Sequence, residues 1–90
     1  MKIRFLELTP SNIFLLGYEL KLSPTEASLL RAIAEGGKSD VDTLALLLND
    51  GVSRTNIAVH VNGINKKAAR ISERRLVVHK DGRYVINPYM

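Results

Sequence analysis

The spacing of apolar residues changes character twice along the chain. Ile3, Phe5, Leu6 and Leu8 punctuate an extended stretch that stops at Thr9-Pro10-Ser11-Asn12, a run of turn formers. Ile13-Phe14-Leu15-Leu16 is a second short apolar run, closed by Gly17-Tyr18, and Glu19-Leu20-Lys21-Leu22 alternates as a half-buried strand does. Residues 1–22 are thus predicted to form an antiparallel meander of about three strands. Helical spacing then takes over. Ser23-Pro24-Thr25-Glu26 places a hydroxyl at the N-cap, proline at the first helical position and a carboxylate three residues after the cap. Ala27, Leu29, Leu30, Ile33 and Ala34 follow on one side, and Gly36-Gly37 ends the helix.

A second, short helix is predicted from an Asp40 cap, with Val41, Leu44, Ala45, Leu47 and Leu48 as its apolar side and Asn49-Asp50-Gly51 as its end. Ser53 caps a third helix predicted over Arg54 to Ile71. The period then returns to two. Leu76–His79 and Arg83–Ile86 flank Lys80-Asp81-Gly82, and Asp-Gly between β-formers signals a hairpin with a type I′ turn. The expected architecture is one α+β domain over residues 1–90: strands in 1–22, three helices in 23–71 and a hairpin in 76–87. The short helix, tight turn and longer basic helix have the shape of a helix-turn-helix.

Composition narrows the function. Ninety residues, 46% of them hydrophobic, suit a single small core. The absence of cysteine excludes a disulfide framework, a thiolate metal site and a catalytic thiol. No paired carboxylates, nucleophile–base set or phosphate-cradling glycine loop is present, so the chain is read as a non-enzyme needing no cofactor or metal. Glu7 and Pro10 interrupt any signal-peptide core, and Leu8–Tyr18 carries too many breakers to span a bilayer, so the expectation is a soluble, cytoplasmic protein that avoids membranes.

The net charge of +4 is unevenly placed. Residues 1–51 carry five basic and seven acidic side chains, whereas residues 52–90 carry eight basic ones against Glu73 and Asp81 alone. A basic back half points to a polyanionic partner. On the third helix, Ile57, Val61, Ile64, Ala68 and Ile71 fall within about 40° of one direction at 100° per residue. Thr55, Val59, Asn62, Lys66 and Arg70 fall opposite, flanked by Asn56, Gly63 and Ala69. The cations suit phosphates, Asn62 suits the adenine edge, and Val59 and Thr55 suit a thymine methyl. A plain solvated face is the competing reading of the same residues. Gly63 is read as a tolerated helix glycine, His60 as a packed, hydrogen-bonded helix histidine, and His79 as a strand residue at an exposed edge.

Three segments carry a family resemblance. Leu22-Ser23-Pro24-Thr25-Glu26-Ala27-Ser28-Leu29-Leu30 resembles an LTxxExxLL pattern, and Ile57-Ala58-Val59-His60-Val61-Asn62-Gly63-Ile64-Asn65-Lys66-Lys67 resembles VDVHIxxLRxK. Leu76 through Tyr84 resembles the wing segment IxTVRGxGY. Together, from Leu6 to Tyr84, the chain resembles the winged-helix effector domain of OmpR/PhoB-type response regulators, here without a receiver domain. The resemblance implies a winged helix-turn-helix that binds double-stranded DNA and regulates transcription, with the third helix in the major groove and the wing on the adjacent backbone or minor groove. Val59 falls where the family meets a thymine methyl, Gly63 at a base-reading position, and Lys80 at the wing arginine.

The expected DNA-contacting set is Arg54, Thr55, Asn56, Val59, Asn62, Lys66, Lys67, Arg70, Lys80 and Arg83. RNA polymerase, another regulator and a second copy of the chain are the further candidate partners. The chain departs from the family at Thr55, Gly63, Asn65 and Asp81-Gly82-Arg83. Those departures motivate the alternative, a winged helix that binds proteins and has lost its DNA reading.

Overall fold

The computed structural model describes residues 2–3, 5–36, 44 and 54–88, with backbone alone at 54–56. Four short strands open the chain: β1 (Lys2–Ile3), β2 (Leu6–Leu8), β3 (Ile13–Leu15) and β4 (Tyr18–Glu19), paired antiparallel in sequence order. The single strand expected over residues 2–8 is therefore a hairpin, with Lys2 opposite Glu7 and Ile3 opposite Leu6. The physical sign was the adjacent pair Phe5-Leu6. Neighbouring residues of one strand face opposite sides, so Phe5 and Leu6 both meet the core because Phe5 lies in the turn and Leu6 in the strand. Leu6 and Leu8 point into the core and Phe5 packs against it from the turn.

The expected strand over 19–22 is confined to Tyr18–Glu19, and beyond it Leu20 donates its N–H to the Ile13 carbonyl at 2.8 Å. Between β3 and β4 the two turn residues, Leu16 and Gly17, both have positive φ (53° and 83°). That is the twist of a type I′ hairpin, here with an apolar side chain at the first position.

Helix α1 (Pro24–Glu35) starts and stops where its residues require. The Ser23 hydroxyl accepts the Glu26 N–H at 3.2 Å, and Glu26 Oε1 accepts the Ser23 N–H at 2.9 Å, which completes a capping box. Gly36 ends the helix at φ 76° and donates its N–H to Ile33 O. Leu29, Leu30 and Ile33 are buried, and the helix packs against the second described helix and the C-terminal hairpin.

The predicted second helix lies outside the described residues except Leu44, which is helical and wholly buried. The caps assigned to Asp40 and Ser53 also lie outside them. Helix α2 (Arg54–Ala68) is the predicted third helix, shorter at its C-terminal end than the expected limit of Ile71. The shortening is a tightening of the last turn. Arg70 donates to Lys67 O and Ile71 to Ala68 O, three residues back rather than four.

The chain closes in the hairpin β5 (Val77–Lys80) and β6 (Arg83–Ile86). Its turn is two residues, not three: Asp81 and Gly82 have φ of 53° and 76°, the type I′ geometry, and Lys80 belongs to the strand opposite Arg83. The described residues thus form an α+β fold with a four-stranded antiparallel sheet, helices α1 and α2, and a C-terminal hairpin. One core joins them, built from Leu6, Leu15, Leu29, Leu30, Leu44, Ile57, Ile64, Leu76 and Val77, each fully buried. Among the described residues no helix is long and apolar enough to cross a membrane.

Candidate nucleic-acid interface

Helix α2 has a back, a front and two flanks, each with its own task. At the back, Ile57, Val61, Ile64 and Ala68 are buried and Ile71 packs half-buried behind them, the stripe that the 3.6-residue period requires. At the front, Val59 is 59% exposed, and Asn62 and Lys66 are exposed with it, as are Ala69 and Arg70 in the tightened turn that follows Ala68. Arg54, Thr55 and Asn56 stand in the first turn of α2, where the backbone alone is described.

One flank of α2 holds the hairpin. Asn65 Oδ1 accepts the Val77 N–H at 2.9 Å and Asn65 Nδ2 donates to Val77 O at 3.0 Å. Val77 is paired with Ile86 in the hairpin register, and its peptide groups are presented to Asn65 like those of an edge strand. The side-chain amide thus plays the part of a neighbouring strand and fixes β5 against α2. Asn87 ties the far end, its N–H to Leu76 O at 2.8 Å and its Nδ2 to Arg75 O at 2.9 Å.

At the hairpin's other end, Lys80 and Arg83 are exposed and directly opposed across the strands. Like charges in that position repel unless an anion lies near them. Further down the hairpin, His79 and Tyr84 form the next pair, with ring centroids 5.0 Å apart, and His79 is exposed as its place in the strand predicted.

The other flank of α2 faces α1 through Gly63. A Cβ built on Gly63 would collide with Glu26 Oε2. The reading of Gly63 as merely tolerated is therefore corrected: the missing side chain lets the Glu26 carboxylate lie against α2. Glu26 is 93% hidden from solvent, and the Lys67 ammonium pairs with its Oε1. Burial by itself raises a carboxyl pKa. Here the Lys67 hydrogen bond and charge, together with the Ser23 bonds, outweigh it and hold Glu26 below its ordinary value of 4.5. Lys67 is thereby separated from the exposed cations with which the sequence grouped it, because its charge is already matched inside the fold. His60, on the same flank, is half-buried as its edge position on the stripe implied.

Below this flank lies a shallow depression of about 230 Å³ between the β4–α1 connection and the end of α2, lined by Glu19, Leu20, Lys21, Lys67, Arg70 and Ile71. Lys21 and Arg70 both line it. Sequence reasoning missed Lys21 because it counts among the acidic first half of the chain, and no local pattern links it to α2. Among the described residues no three His, Asp or Glu side chains gather as a metal-holding group.

No protein-family model matches the chain, and no curated protein matches it. Of the expected contact residues, the fold brings Val59, Asn62, Lys66 and Arg70 together on the front of α2, and the Asn65 clamp sets the hairpin bearing Lys80 and Arg83 at its side.

Proposed function

We propose that this chain is a winged-helix DNA-binding domain of the OmpR/PhoB effector type, a cytoplasmic transcriptional regulator or the effector part of one, and not an enzyme. The observation that carries the reading is the front of α2: Val59, Asn62, Lys66 and Arg70 lie exposed together on the side opposite the buried stripe. In this proposal Leu44 belongs to the middle helix of three, and the hairpin is the wing. Helix α2 enters the major groove, where Val59 and Thr55 meet thymine methyls and Asn62 reads an adenine edge. Arg54, Asn56, Lys66, Arg70, Lys80 and Arg83 engage phosphates and set the register. Lys67 contributes less than the exposed cations, since its charge is already matched by Glu26. The two opposed cations of the hairpin support the same reading, because a phosphate beside them relieves their repulsion.

Selection of duplexes from a random pool tests this directly. An enriched motif supports sequence-specific recognition; a pool that stays unenriched, with no retention at low salt, overturns the reading. A second reading, a winged helix that docks on a protein such as RNA polymerase, another regulator or its own copy, is favoured by one observation. Gly63 and Asn65, which fall at or next to reading positions of the family, are both committed to holding the fold. Reversing charge at Lys66 and Arg70 separates the two, since it abolishes duplex binding under the first and spares a protein complex under the second.

A further inference from the structure

The cations assigned so far come from α2 and the hairpin, both in the basic half of the chain. One more faces the same helix from the acidic half. We propose that Lys21 and Arg70 form a phosphate-binding point in the depression between the β4–α1 connection and the end of α2, and that it holds a phosphodiester group of the duplex backbone. The inference rests on the DNA-binding reading and extends its footprint to the first half of the chain.

Four features of the depression carry it. Lys21 and Arg70 are both exposed, and neither has an ion-pair partner among the described residues. Lys67, which shares the lining, is paired with Glu26 and forms a fixed wall rather than a competing ligand. Leu20 and Ile71 supply an apolar floor against which the stems of Lys21 and Arg70 can lie. The depression, about 230 Å³ and open to solvent, has room for a phosphate group between the two cations.

Position selects the source of that anion. Lys66 is exposed in the last turn of α2, and Arg70 is exposed in the tightened turn that follows it and shares the depression with Lys21, so the cations continue past the end of the helix. A backbone that follows α2 past Lys66 meets Arg70 and Lys21 next. Glu19 is the acid in the lining and opposes the anion, so it sets the strength of the site.

The test is fluorescence anisotropy of a short mixed-sequence duplex, between about 50 and 200 mM salt, with the wild type, Lys21→Ala and Glu19→Gln. Loss of one phosphate contact makes the slope of log K against log salt shallower by about 0.9, and weakens binding about eightfold at 0.1 M salt. Lys21→Ala is expected to show both changes with the wild-type melting temperature, and Glu19→Gln is expected to bind more tightly. If the wild type binds while Lys21→Ala keeps its affinity and slope, the inference is wrong and the DNA-binding reading stands. If the wild type binds no duplex, both fall. Inorganic phosphate, titrated alone while the Lys21 and Arg70 amide shifts are followed, distinguishes the source. Weak millimolar perturbation agrees with a backbone site, whereas tight saturation that duplex cannot displace overturns the assignment to DNA.

Discussion

The Glu26 carboxylate accepts the Ser23 N–H, pairs with the Lys67 ammonium and occupies the space that a side chain at position 63 would need. These three relations make a prediction with a definite sign. Alanine in place of a helix-interior glycine ordinarily gains up to about 1 kcal/mol. At Gly63 the new methyl meets Glu26 Oε2, so the carboxylate must shift while its Oε1 holds Ser23 and Lys67, and disturbing charge-assisted bonds of a buried group costs up to about 1.5–3 kcal/mol. Gly63→Ala is therefore expected to destabilise the protein by about 1 kcal/mol in urea unfolding, and to stabilise it when Glu26 is also alanine. A stabilised Gly63→Ala in the wild-type background would refute the close packing. The cap itself was legible in Ser23-Pro24-Thr25-Glu26, because a capping box is a local pattern. The partners Lys67 and Gly63 were not, because nothing local to either helix says which faces will meet.

At the scale of elements, the Asn65 amide is the joint between α2 and the hairpin. It matches both the N–H and the carbonyl of Val77, a residue that is fully buried. Asparagine can do this because one end of its side chain donates and the other accepts. Asn65→Asp keeps the bond to the Val77 N–H and sets a carboxylate oxygen against the Val77 carbonyl. The expected cost is about 2 kcal/mol in a denaturant melt, with faster amide exchange along β5 than along α1. A melt and exchange pattern like the wild type would contradict the joint.

The sequence pattern foretold α1, the buried stripe of α2 and the type I′ turn at Asp81-Gly82, since each rests on spacing or on residues with a local conformational preference. It missed the hairpin at residues 2–8, whose turn bears Phe5 instead of a turn former. It also missed the Asn65 joint, since a side chain that substitutes for a strand leaves no periodic trace.

Across the whole molecule, charge governs both stability and the proposed function. The Glu26 pKa is lowered in the fold, so its ionised form is the one the native state favours. That contribution to stability is complete above the ordinary value of 4.5 and is lost as the pH falls below it, through the folded value. Glu26→Gln is expected to flatten the acid limb of stability against pH below about pH 4.5, while keeping the acceptor for the Ser23 N–H. An acid limb as steep as the wild type's would contradict the assignment of Glu26 as its source.

The basic second half of the chain was visible in the residue count, and the front face of α2 was visible in its period. The depression shared by Lys21 and Arg70 was not, since it depends on how the β4–α1 connection meets the end of α2. The most direct test of the proposed function compares the wild type with Lys66→Glu/Arg70→Glu for binding to labelled duplex across a salt series. Both sites are exposed, so the variant is expected to melt as the wild type does. The account predicts wild-type binding whose log K falls linearly with log salt, and no measurable binding by the variant at the same salt. Absent wild-type binding, binding insensitive to salt, or a variant that binds as well as the wild type would contradict it.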